Sequence, residues 1–128
     1  MHDLITEELT IRAELGSRLL RLVMTGKSSS REPGKLLTPF FAEALQRAAA
    51  ARAAIEVHFE GLTHFNSSTI AAVIQFINAA QERHVALAFH YDPALKWQAL
   101  SFEALQRAIK PFQKGTVSHV RFVETPHA

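Results

Sequence analysis

The sequence predicts an α/β fold: one domain with a mixed, mostly parallel five-stranded sheet, an N-terminal hairpin and three main helices. Three observations predict it. Apolar and polar residues alternate at Ile55 to Phe59 and again at Val85 to Phe89, runs of helical period stand between and after these segments, and two apolar-rich segments joined by Gly16-Ser17 open the chain.

Leu9 to Leu15 and Arg18 to Met24 flank Gly16-Ser17 and read as a β-hairpin. Gly26 to Leu36 mixes Gly, Ser, Pro and charge without a period, so it reads as a mobile surface loop. Thr38 is a suitable N-cap with Pro39 at the first helical position, ahead of the Ala-rich run Phe40 to Ala54. In the next strand Ile55, Val57 and Phe59 point one way while Glu56, His58 and Glu60 point the other. Thr69 to Arg83 carries Ile70, Val73, Ile74 and Ile77 at helical spacing behind Asn66 and Ser67, both good caps. Val85 to Phe89 forms a strand whose other face shows Ala86, Ala88 and His90, and Asp92-Pro93 ends it. Trp97 to Ile109 is a helix with Leu100, Ala104, Leu105 and Ala108 on one face, stopped by Pro111. Val117 to Val123 supplies the last strand. The order β-β-α-β-α-β-α-β requires right-handed crossovers at its three parallel steps. Residues 1–8 and 124–128 read as flexible ends of the single domain 1–128.

A chain of 128 residues with 48% hydrophobic content can bury one core and has no room for a second domain. The absence of cysteine removes disulfides, thiolate nucleophiles and Cys-based zinc sites together, and fits a cytoplasmic location. The acidic start, MHDLITEELT, has no apolar signal region, and no apolar run is long enough to cross a bilayer, so neither secretion nor a membrane partner is expected. The net charge is only +2, and the densest basic stretch holds Lys27, Arg31 and Lys35 with Glu32 among them. A nucleic-acid partner is therefore not expected.

The histidines His58, His64, His84 and His90 show no H-x-x-x-H or H-E-x-x-H spacing, so no metal site is expected. His58 and His90 could lie on neighbouring strands, in a solvated polar face with Glu56 and Glu60. No G-x-S-x-G elbow, P-loop or dinucleotide fingerprint occurs, which leaves neither a catalytic site nor a cofactor. Trp97 fits either a core anchor or an exposed partner contact, and Leu36, Leu37, Phe40 and Phe41 either a lid over the first helix or a docking patch. Asn66, Ser67 and Ser68 open a helix at the carboxyl end of a strand, where open α/β sheets place their sites. Capping is the plain reading of such residues. A hydroxyl there also suits phosphorylation, because free N–H groups and the positive helix end stabilise the added charge of about −1.5 to −2.

The segment FNSST, Phe65 to Thr69, resembles the D-S-S-G-like signature of STAS domains, the anti-sigma-factor-antagonist family, in which the first serine is the phosphorylation site. By this match Ser67 is the acceptor, with Ser68 and Thr69 behind it. Asn66 and Thr69 stand where the best-known members have Asp and Gly, which marks a divergent branch. Gly26 falls where STAS domains carry a glycine, and the order of elements from Leu9 to Val123 is similar to theirs. The turn with His90-Tyr91-Asp92 further on is similar to the biofilm-regulating SiaC-type phosphoproteins, and Trp97 to Arg107, WQALSFEALQR, resembles a run in a small bacterial group of STAS-like regulators.

The resemblance implies a non-enzymatic, cytoplasmic bacterial signalling protein that switches partners on phosphorylation of Ser67. It implies an anti-sigma-type protein kinase, a phosphatase and a regulatory effector protein as partners, met by a surface of Asn66, Ser67, Ser68, Thr69 and Trp97 with the loop Gly26 to Leu36 beside it. The alternative is a STAS-like domain that binds a small anion or nucleotide at the same helix end without phosphorylation. An exposed sheet edge would allow a homodimer.

Overall fold

The computed structural model describes residues 1–109 and 119–126. The elements run β1 (Leu4–Ile5), β2 (Leu9–Leu15), β3 (Leu19–Ser28), α1 (Gly34–Ala51), β4 (Ala54–Phe65), α2 (Ser67–Glu82), β5 (Leu87–Tyr91), α3 (Lys96–Ile109) and β6 (Val120–Glu124). Their spatial order in the sheet equals their order in the chain. β1, β2 and β3 pair antiparallel, whereas β3 with β4, β4 with β5 and β5 with β6 pair parallel.

Alternation decides which side of the sheet is covered. Ile55, Val57 and Phe59 of β4, with Leu87 and Phe89 of β5, turn inward and are buried, as are Leu20, Leu22 and Met24 of β3. The helices close over this face through aromatic contacts. Phe41 of α1 stacks on Phe76 of α2 at 4.2 Å, Phe76 lies against Phe89, and Phe59 meets Phe102 of α3 edge-on at 5.0 Å. Leu37, Phe40 and Phe41 are core residues, and only Leu36 of that group is exposed.

The sheet has six strands rather than five. The sixth, β1, spans 2 residues at the edge of β2, where Asp3 Oδ1 also accepts the Ala13 N–H. An element that short leaves no period to read. Gly26 to Leu36, expected as a mobile surface loop, contains the end of β3 and the first turn of α1. Consequently Pro39 lies inside α1 rather than at its first position, and Thr38 is not its cap. The other end of α1 stops at Ala51 because Arg52 turns left-handed, with φ 54°, which frees Ala54 to start β4.

β4 is more than twice as long as its alternating stretch suggests. Two bulges explain this: β4 advances from His58 to Gly61 while β3 advances from Val23 to Thr25, and from Leu62 to His64 while β3 takes one step. Each extra residue resets the alternation, so Phe59, Leu62 and Phe65 all face the core. The bulged carbonyls need donors. Gln98 of α3, fully buried, supplies them: its Nε2 donates to Phe59 O at 2.9 Å and to Leu62 O at 3.1 Å, while its Oε1 accepts the Asp92 N–H at 2.8 Å.

The buried stripe of α3 is Gln98, Phe102, Leu105 and Ile109. The predicted stripe shares only Leu105, and Leu100 is exposed. A glutamine in the stripe hid it from a search for apolar period. The last strand begins at Val120; Pro111, Val117 and Ser118 lie outside the described residues.

Gly26 is the tightest backbone position. Its φ is 94°, and a Cβ there would lie 2.0 Å from the Glu8 carbonyl oxygen, which accepts the Lys27 N–H. Gly26→Ala is expected to cost about 2 kcal/mol or more, from strain and clash together, read as a lower urea midpoint at unchanged slope. Gln98→Leu keeps the bulk and removes three hydrogen bonds, leaving buried backbone groups unpaired. It should cost about 2–4 kcal/mol by the same measurement.

Candidate functional site

β4 ends at Phe65 and α2 begins at Ser67, so the single residue Asn66 makes the turn at the carboxyl edge of the sheet. Its extended backbone, φ −96° and ψ 175°, lets the side chain cap the helix: Oδ1 accepts the Thr69 N–H at 2.9 Å. The same oxygen accepts the Thr69 hydroxyl at 2.8 Å, and the Ser28 hydroxyl lies 2.7 Å from Thr69 Oγ1. A consistent proton chain therefore runs from Ser28 to Thr69 to Asn66. Asn66 also uses its amide, with Nδ2 donating to Ser30 O at 2.8 Å, and its N–H bonds Ser28 O. This is why Asn serves better than Asp at 66: a carboxylate has no donor for the Ser30 carbonyl.

The site residues anticipated from sequence separate into two groups. Ser67 and Ser68 are exposed at the first positions of α2. Ser67 Oγ makes no hydrogen bond with the described residues. Thr69 is fully buried with its hydroxyl engaged, so it can neither accept a phosphate nor meet a partner at the surface, and its place there is corrected. Trp97 is half-buried: it packs edge-on against Phe65 at 5.1 Å and tilts toward His64 at 6.2 Å, serving core and surface at once. It therefore flanks the edge that carries Ser67.

The loop after β3 joins the site rather than moving freely over it. Ser28 and Ser30 tie to Asn66, Ser29 donates to Glu8, and Thr63 Oγ1 donates to Gly26 O. Beside them lies a cavity of about 290 Å³ lined by Glu7, Glu8, Lys27, Ser28, Ser30 and Leu37, among others. The segment lies beside the start of α2, as expected of Gly26 to Leu36, but Gly, Ser and Pro in one stretch signal a loop and give no hint of which serine pairs with Asn66.

His90, Tyr91 and Asp92 divide among separate tasks. Tyr91 is buried, stacks on Phe102 at 4.7 Å and donates to Glu124; Asp92 Oδ1 accepts the Ala94 N–H. Burial raises the Tyr91 phenol, and Glu124 raises it further. His90 points to the open face of the sheet with His58 directly beside it in the β4/β5 register, their rings stacked at 4.3 Å. Glu56 joins them, its Oε1 2.5 Å from His58 Nε2. These groups are half-buried rather than freely solvated. Burial raises the Glu56 carboxyl, yet the His58 hydrogen bond, with the charges of His90, His58 and Arg21, leaves it lowered. Burial, with His58 next, lowers the His90 imidazole.

The fold and this edge define a class: a single α/β domain whose helices cover one face of a mixed sheet, with an exposed serine at a capped helix start. No protein-family model matches the chain, and no curated protein matches it. Solved structures do. A chain from the crystal structure of the diguanylate cyclase SiaD in complex with its activator SiaC, from Pseudomonas aeruginosa, matches with TM-score 0.61 and 19% identity over 98% of this chain and 100% of that one. SiaC of Pseudomonas aeruginosa matches with TM-score 0.61 and 21% identity over 99% and 100%, and apo-SiaC with 0.58 and 16% over 98% and 100%. At these identities the likeness is one of fold. Among the described residues no helix is long and apolar enough to cross a membrane.

Replacing the cap separates its two tasks. Asn66→Ala should cost about 1–2 kcal/mol, since the Thr69 N–H, the Thr69 hydroxyl and the Ser30 carbonyl all lose a partner. Asn66→Asp, which keeps the acceptor and loses the donor, should recover part of that loss in urea unfolding.

Proposed function

We propose that this chain is a non-enzymatic STAS-like signalling protein that binds a regulatory partner through the start of α2, with phosphorylation of Ser67 as its switch. The observation that carries this reading is the contrast between adjacent hydroxyls: Thr69 is consumed by the cap, whereas Ser67 is exposed and uncommitted. A phosphate on Ser67 would sit at the positive end of α2, near N–H groups that have no intrahelical partner. The fold would tolerate it. The partner would not, because about −1.5 to −2 charges would enter a contact edge bordered by the apolar Trp97 and Phe65.

The kinase of anti-sigma type and the phosphatase follow from the switch. The likeness to SiaC, described as the activator of the diguanylate cyclase SiaD, suggests a diguanylate cyclase as the effector. A second reading, a small anion or nucleotide bound without phosphorylation, draws support from the 290 Å³ cavity and its Lys27 and serine lining. Glu7 and Glu8 on the same wall oppose an anion, which ranks this reading second.

Capture from native lysate on wild type, Ser67→Ala and Ser67→Asp, with peptide mass spectrometry of the endogenous protein, tests the first reading. Phosphate is expected on Ser67, and Ser67→Asp is expected to retain about tenfold less partner than wild type or Ser67→Ala. Equal capture by all three forms, with Ser67 and Ser68 unmodified, would sink the switch. A thermal shift of several degrees with phosphate or a nucleotide alone would favour the second reading.

A further inference from the structure

The open face of the sheet holds chemistry that the α2 edge does not use. β4 sends Glu56 and His58 to that face, and the parallel register places His90 of β5 directly beside His58. One donor atom from each of the three lies within 4.8 Å of the others. Donors around a tetrahedral ion at bond lengths of about 2.0–2.2 Å stand about 3.3–3.6 Å apart, so small side-chain rotations bring this set into range.

With neutral imidazoles the hydrogen bonding is also short of donors, and Arg21, the cation at this cluster, reaches only Glu56. His58 faces a carboxylate at both ring nitrogens, Glu60 at 3.0 Å from Nδ1 and Glu56 at 2.5 Å from Nε2. A neutral imidazole carries a single N–H, so it can satisfy one of them and must turn a lone pair toward the other. His90 Nε2 is buried without a hydrogen-bond partner, and its nearest acid oxygen, on Glu56, is 3.7 Å away. One cation between these atoms would resolve all of this. Glu60 would then accept the Nδ1–H of His58 and fix Nε2 as the ligating atom, the usual arrangement behind a metal-bound histidine. Thr125 in turn holds Glu60, with Oγ1 donating to its Oε2 at 3.2 Å.

We propose that Glu56, His58 and His90 form a binding site for a divalent cation of the zinc class on the uncovered face of the sheet. Two imidazoles and one carboxylate suit zinc or nickel, whereas magnesium and calcium prefer oxygen donors throughout. Three protein ligands leave a position open toward the adjoining depression, lined by Arg21, Val23, His58, Glu60 and Gly61. Arg21, 3.3 Å from Glu56 Oε1, is the resident cation that the metal must displace from that oxygen. The ion would tie β4 to β5 on the side that none of α1, α2 and α3 covers. This site is independent of Ser67.

Isothermal titration of untagged, chelator-treated protein with zinc chloride tests the assignment, with cobalt absorption reporting coordination. Wild type should take up about one equivalent with a Kd on the order of micromolar or tighter, and cobalt should give the visible bands of a tetrahedral site. His58→Ala and His90→Ala should each bind about tenfold more weakly or worse, while His64→Gln, on an exposed side chain, should match wild type. Glu56→Gln preserves shape and covers the case in which an alanine variant fails to fold. A wild type that takes up no zinc at about 100 µM, or a folded Glu56→Gln that titrates as wild type does, overturns the site.

Discussion

The parallel pairing of β3 with β4, from Leu19 beside Ala54 to Ser28 beside Phe65, is the contact on which the rest of the molecule depends. Among the described residues it is the longest ladder of the sheet and the only one that carries bulges. The bulges let one strand bury Ile55, Val57, Phe59, Leu62 and Phe65, although their spacing changes from two residues to three. Gln98 reaches across from α3 and donates to the Phe59 and Leu62 carbonyls beside the first bulge. Sheet and helix layer are thus joined by a buried amide as well as by phenylalanine packing.

The same ladder delivers both candidate sites. At its carboxyl end it sets Ser28 against the start of α2, so that Ser28, Thr69 and Asn66 form one chain of hydrogen bonds and leave Ser67 outside it. Before the first bulge, strict alternation puts Glu56 and His58 on the open face, and the unshifted β4/β5 register adds His90. A bulge two residues earlier would have turned His58 inward.

What could be read from the residues follows their physical range. Ile55 to Phe59 and the Asn66 cap are local, and the structure repeats them; of the α2 stripe it buries Val73 and Ile77 but leaves Ile70 and Ile74 half-buried, because the helix turns Ala72 and Phe76 inward. The end of β3, the first turn of α1 and the length of β4 were hidden. The extended backbone of Lys27 and Ser28 exists because β4 lies beside it, and no propensity of Gly, Lys or Ser demands it. The α3 stripe was misread for a related reason: Gln98 counts as surface by composition and is core by partnership. Ser30, half of the clamp on Asn66, has no signal in sequence at all.

By itself the sequence determined the fold class, the order of every element except β1, the inward face of the alternating stretch in β4 and the serine that follows a capping asparagine. These rest on periods and caps that need only near neighbours in the chain. The tertiary structure decided that Thr69 is sealed while Ser67 is open, and it set Glu56, His58 and His90, which alternation had already placed on one polar face, within reach of one another. Both outcomes depend on strand register. Register sums many weak pairings over the whole sheet, so residues 32 positions apart, as His58 and His90 are, meet only after the chain has folded.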